Sequence, residues 1–176
     1  MGSHRMVTKQ VSFYEEMTNV PFIIAGPGIH PRQKPVEDLL TQPTIDLLPT
    51  LCELAGIPVP SSKPGISLAP FLKGEKQKRQ HPYAASEWHS EYEVTVSPGR
   101  MIRSPRYKYT HYLEGNGEEL YDMLKDKGER RNLAHDPKYS KILAEHRALL
   151  DDYIRRTQDD YRLSLIHIRR CRRRRE

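Results

Sequence analysis

A chain of 176 residues with 36% apolar content is long enough for one or two globular domains, and no apolar run in it approaches the length of a membrane-spanning helix. Its formal charge of +6 is concentrated at one end: residues 163–176 hold six arginines and one acid, and the remainder carries 23 basic against 22 acidic residues. A near-neutral body confines any nucleic-acid reading to that tail. The two cysteines, Cys52 in an apolar pattern and Cys171 among the arginines, fix no redox compartment.

The first apolar run is VPFIIA at residues 20–25, closed by Gly26-Pro27-Gly28. It is too short between its prolines for a helix and reads as a strand buried on both faces, which predicts covering helices and a parallel α/β sheet. The polar residues before it, from Lys9 onward, then sit near a strand end, where such sheets carry ligands. No strand flanks it at the start of the chain, so its partners are expected from later segments or from outside the chain.

Asp46 is predicted to cap a helix over 47–55, with Pro49 in its first turn and Leu47, Leu48, Leu51 and Leu54 along one side. Gly56 suits the position after the last helical residue, and Pro58 forbids continuation. GISLAPFL at 65–72 is a short apolar turn or single helical turn, and KGEKQKRQ at 73–80 is a solvated seam. Beyond the seam the pattern changes. Residues 83–88, 100–103, 107–112 and 119–122 read as short strands joined by turns at Ser104-Pro105 and Glu114-Gly115-Asn116-Gly117, which predicts an antiparallel sheet. Asp136-Pro137 opens a long helix, and Tyr139, Ile142, Leu143, His146, Leu149, Leu150, Tyr153 and Ile154 form one stripe that should lie across that sheet. Residues 163–176 carry no cap and no helical period.

Taken in order, K-x-x-x-F-Y-E-E, VPFIIAGPG, IDLLPTLCELAGIP, GISLAPFL, GRMIRSPRYKYTHY, EELYD and KDKGERRNLA resemble the C-terminal portion of a sulfatase of the alkaline-phosphatase-like superfamily, over roughly residues 2–160. The resemblance implies an α/β fold: the C-terminal part of a sulfatase fold, ending in a small antiparallel sheet packed by a long C-terminal helix. It implies three parts: residues 1–80 as the end of the catalytic domain, 81–162 as the C-terminal subdomain, and 163–176 as a tail outside the fold. It further implies a hydrolase of sulfate esters whose nucleophile is a formylglycine made from a Cys/Ser-x-Pro-Ser/Ala-x-Arg motif. A calcium ion, or magnesium in some relatives, is held there by carboxylates and amides. That motif does not occur in this sequence, and the metal-binding acids of the family match no segment of it, so no metal ligand is assigned.

Two active-site positions carry over. Lys9 matches the family's sulfate-contacting lysine, whose ammonium suits a sulfate oxygen and charge developing on the leaving group. His4 matches a histidine that lines the pocket. Trp88 and His89 are weaker candidates for contact with a sugar ring; a packed tryptophan and a surface histidine are the plainer reading. Arg103 and Arg106 are expected to be solvated or paired, Asp46 to be a cap, and Glu15 with Glu16 not to form an acid–base pair.

The expected function is that of a sulfatase C-terminal fragment acting, in the full-length enzyme, on a sulfated small molecule or glycan. The expected compartment is an exported one (periplasmic, secreted or lysosomal), with no membrane partner. A phosphatase or phosphonate-monoester hydrolase of the same superfamily is the nearest alternative, since both anions are tetrahedral. A binding module using the arginine tail for non-specific polyanion contact is the other. The purified 176-residue chain is expected not to hydrolyse 4-nitrophenyl sulfate; measurable turnover would contradict this reading.

Overall fold

The computed structural model describes residues 4, 12–32, 34–36, 39–76, 80–89, 98–113 and 117–161. Lys9, the turn residues 114–116 and the arginine tail lie outside the described residues. The chain divides into two compact units, one of Met1–Thr18 with Ala85–Glu176 and one of Asn19–Ala84.

In the first unit four strands form a sheet in the order β1 (Ala84–Trp88), β2 (Gly99–Arg103), β3 (Tyr107–Tyr112) and β4 (Glu118–Asp122). β2 and β3 pair antiparallel with Met101 opposite Thr110, and β3 and β4 with Lys108 opposite Tyr121. The expected short antiparallel sheet is therefore present. Ser104 makes the tight β2–β3 link, its backbone N–H donating to Tyr107 O at 2.9 Å.

The long helix is present as well. Asp136 accepts the backbone N–H of Lys138 at 3.1 Å, a single 3-10 turn covers Pro137–Tyr139, and α4 runs through Ser140–Thr157. Its buried residues are Leu143, His146 and Leu150, and it packs on β2 and β3. The helix ends on Gln158 in the left-handed region, and the chain then brings Asp159 onto Arg100. Arg100 is 3% exposed. It holds the Asp159 carboxylate through Nε at 2.6 Å and through a terminal nitrogen at 2.8 Å, donates to Trp88 O at 3.0 Å, and lies over the Tyr161 ring. The guanidinium holds the Asp159 carboxyl below the usual carboxylate range.

β3 is covered on both faces. Tyr107, Tyr109 and His111 face α4 and Tyr161: Tyr107 meets His146 edge-on and the Nδ1 of His111 lies 2.8 Å from the Tyr161 hydroxyl. Lys108 and Tyr112 face the segment at residues 13–18, where Phe13 packs against Tyr112, Met101 and Trp88. That approach is close. A Cβ added at Gly99 would stand 2.6 Å from the Phe13 ring, so no side chain fits there without moving the ring.

The second unit differs more from expectation. Residues 20–25 form no strand; Val20 is 59% and Ile23 86% exposed. A strand needs a neighbour for its backbone groups, and none of the described segments pairs with this one. The Gly26-Pro27-Gly28 turn is present, closed by Ile29 N–H to Gly26 O at 3.3 Å.

The helix α2 spans Pro43–Leu54 and starts earlier than predicted, with Gln42 as its N-cap. Asp46 is accordingly not the cap residue. It lies inside the first turn, fully buried, and its carboxylate accepts the N–H of Gln42 at 2.7 Å and of Ile66 at 2.8 Å, with His81 Nε2 at 2.7 Å. Thr50, one turn on, donates to Asp46 O at 2.6 Å and accepts Leu68 N–H at 3.0 Å. Gly65 lets the following segment approach: its φ is +114°, and a Cβ there would lie 2.1 Å from Ile45 O. The side of α2 facing its own unit is thus Asp46, Pro49 and Thr50, while Leu47, Leu48 and Leu51 are 41–50% exposed. α3 (Ala69–Leu72) is the predicted single turn.

Asp159→Asn is expected to lower the unfolding free energy by about 3–5 kcal/mol, because it leaves the Arg100 charge buried without its partner. Arg155→Ala, which removes only an exposed ion pair on α4, is expected to leave the urea midpoint unchanged. His146 has its pKa lowered by burial. Its Nδ1–H donates to Ile142 O at 2.8 Å and its Nε2 lies 2.9 Å from Ser104 Oγ, and burial favours the neutral ring. A depressed histidine contributes its full stability above its unfolded value of ~6.5, and the contribution is lost as pH falls through the folded value. The urea midpoint is therefore expected to drop below about pH 6.5, and His146→Gln to flatten that part of the profile.

Candidate functional site

The candidate site gathers on the face of the sheet that α4 does not cover. Its floor is the turn at residues 13–18, whose last four residues form α1 (Glu15–Thr18). Met17 and Thr18 N–H both donate to Tyr14 O, at 2.8 and 3.1 Å, and the Thr18 hydroxyl lies within reach of the Phe13 and Tyr14 carbonyls. Four residues this short do not hold a helix by themselves; side chains from the sheet hold it.

Lys108 supplies most of that hold. Its side chain is 1% exposed and its ammonium lies 2.6 Å from Glu15, 2.9 Å from Glu129 and 3.0 Å from Phe13 O. The other oxygen of Glu129 accepts Glu15 N–H at 2.7 Å. Arg103 lies half-buried beside this cluster, its pKa lowered by burial and raised in part by Glu15 and Glu129. Arg106 is paired instead with Asp122, at 2.7 Å.

Tyr14 projects from the same turn. The His4 ring stacks on it at 3.6 Å, with the planes 2° apart, and the Tyr14 hydroxyl donates to Glu119 at 3.3 Å. Burial, and then the Glu119 charge, push the Tyr14 phenol up; burial likewise raises the Glu119 carboxyl. His4 Nε2 is buried with no hydrogen-bond partner among the described residues.

Of the candidates read from sequence, His4 stands on this turn, and Lys9 lies outside the described residues. Trp88 packs against Phe13, Met101 and Tyr112, with its Nε1 buried and unpartnered among the described residues; His89, next to it, is exposed. The residues that sequence reading passed over are Lys108 and Glu129. Glu129 lay in the KDKGERRNLA segment that carries the resemblance, but nothing in that string assigns it a role. Lys108 reads as an ordinary polar residue of an alternating strand.

The described groups that could converge on a metal are His4, Glu16 and Glu129, with ligand atoms within 4.8 Å of one another. Calcium takes six to eight oxygens and magnesium a near-octahedral oxygen shell. This group offers an imidazole and two carboxylates, and the Lys108 ammonium already lies against Glu129. The described residues do not fit the metal that the resemblance implies.

Comparison with known proteins agrees with the fold. The family model for the C-terminal region of N-sulphoglucosamine sulphohydrolase matches residues 2–156. A delta 4,5-hexuronate-2-O-sulfatase of Bacteroides thetaiotaomicron is 78% identical over 162 residues, covering 92% of this chain and 34% of that protein. A solved 2-O GAG sulfatase superposes with a TM-score of 0.85 at 78% identity, over 91% of this chain and 35% of its own. A third structure, solved in complex with its substrate D-glucosamine-2-N,6-O-disulfate, gives a TM-score of 0.58 at 28% identity, over 65% of this chain and 24% of its own. The chain thus spans about a third or less of the length of the relatives it matches. Over nearly all of its described length, the chain belongs to the sulfatase family, in the C-terminal region that the family model describes.

Proposed function

We propose that this chain is the C-terminal part of a sulfatase that removes a 2-O-sulfate from the hexuronate of a glycan-derived sugar. The observation that carries the reading is the 78% identity, across 92% of the chain, to a protein named for that reaction. In this reading Lys9 contacts the sulfate, and its ammonium offsets charge on the sulfate oxygens and on the leaving sugar oxygen as the ester bond breaks. His4, held flat on Tyr14, lines the same pocket. The family's calcium or magnesium, when bound, polarises the sulfate; its ligands are sought outside the described residues. The enzyme works in an exported compartment, and its partner is the sulfated sugar.

A phosphatase or phosphonate hydrolase would share the fold and the lysine, but the relative 78% identical over 92% of this chain is a sulfatase. The test uses the full-length enzyme that contains these residues, with an unsaturated 2-O-sulfated disaccharide as substrate. Desulfation is expected, with phosphate monoesters turned over far more slowly; the reverse order of rates would move the enzyme to the phosphatase branch. Lys9→Ala is expected to lower kcat on the order of 10²–10³-fold, the usual loss for one donor to a developing oxyanion. A wild-type rate in that variant would remove Lys9 from the pocket.

A further inference from the structure

We propose that Lys108 and Glu129 are positioning residues of the sulfate pocket: without touching substrate, they fix the turn on which His4 rests. The proposal rests on the sulfatase reading above for the pocket, and on the following geometry for the tether.

The contacts are to backbone atoms as much as to charges. Lys108 Nζ reaches Phe13 O at 3.0 Å, and Glu129 accepts Glu15 N–H at 2.7 Å, so the peptide groups on either side of Tyr14 are each pinned from the sheet. Pinning both sets the direction of the residue between them. Tyr14 is the platform on which the His4 ring stacks at 3.6 Å. An error in the turn is therefore passed directly to His4.

The two side chains are unusual hosts for a purely structural contact. Both are 1% exposed. A buried ion pair adds little to stability compared with apolar residues of the same size. Glu129 also occupies the left-handed region, with φ +50°, which a residue with a long side chain seldom adopts. Strain and desolvation both have to be offset to keep a carboxylate at this point, and what the carboxylate does there is accept Glu15 N–H while holding the Lys108 ammonium.

Apolar replacement of both partners separates stability from positioning. In the full-length enzyme, Lys108→Met leaves the buried Glu129 carboxylate without its ammonium and is expected to lower the Tm sharply. The Lys108→Met/Glu129→Met double variant removes both charges and is expected to regain most of the Tm. Its kcat on the 2-O-sulfated disaccharide is nevertheless expected to stay low, on the order of 10²-fold for a misplacement near 1 Å, with KM changed little. A double variant that recovers kcat together with Tm would overturn the proposal, since the cluster would then act on stability only. Amide exchange of wild-type residues 13–18 supplies a second readout that needs neither variant to fold nor substrate to react. Protection of Glu15, Met17 and Thr18 comparable with β3 is expected, and exchange at the rate of an exposed loop would overturn the tether. A wild-type enzyme inactive on every 2-O-sulfated sugar would sink the sulfatase reading instead, leaving the exchange result to decide the tether.

Discussion

The first unit depends on one buried ammonium. Lys108 points out of the centre of a sheet into a place where water does not reach, and an unpaired charge there would cost several kcal/mol. It is tolerated because two carboxylates and a carbonyl surround it, and those groups come from Glu15, Glu129 and Phe13. The requirement runs both ways. The sheet cannot bury Lys108 unless the segment at 13–18 is in place, and that segment has only one short helical turn of its own. Two stretches more than 90 residues apart in sequence are thus made to fold against each other by the needs of a single charge.

This constraint explains which parts of the first unit were legible in the sequence. The strands were, because β2 to β4 are short runs carrying four tyrosines, Ile102 and Thr110, with turn residues between them. The helix α4 was, because its apolar positions recur at three and four and Asp136-Pro137 marks its start. The covering of β3 on both faces was not. Alternation says that one face is buried, and the tyrosines pointed to the α4 side; Lys108 on the other face looked like a solvated residue. A lysine becomes a buried residue only when its partners are known, and Glu129 lies 21 positions away on a different element. The resemblance found the Glu129 segment without saying what the glutamate holds.

The second unit shows the converse failure. The run at 20–25 was read as a buried strand because it is apolar, and apolarity reports that a surface favours cover, not what provides it. In this chain Ile23 and Leu51 face solvent. What orders α2 within its unit is polar: Asp46 and Thr50 receive backbone N–H groups from Gln42, Ile66 and Leu68 and so tie the helix to the segment that crosses it. Asp46 was read as a cap because an acid before an apolar run is the usual N-terminal signal. Pro43 one turn earlier carried the truer mark, since proline at the first helical position needs no partner for its missing N–H.

The same logic bears on the pocket. His4 was named from a match to a motif, and its physical support is a stacked tyrosine whose hydroxyl is held by Glu119. Tyr14 and Glu119 were each visible in the sequence only as parts of FYEE and EELYD. Glu119 sits opposite Thr110 in the register, which puts it on the same face as Lys108. That face therefore carries a half-buried carboxylate under the tyrosine and a buried ammonium under the neighbouring peptide, two charges of opposite sign supporting one turn. A histidine stacked on such a base gains orientation from the sheet. The dependence of this turn on residues far downstream in the sequence follows from that arrangement: the N-terminal segment contributes Tyr14 and the ring stacked on it, and the C-terminal sheet sets their direction.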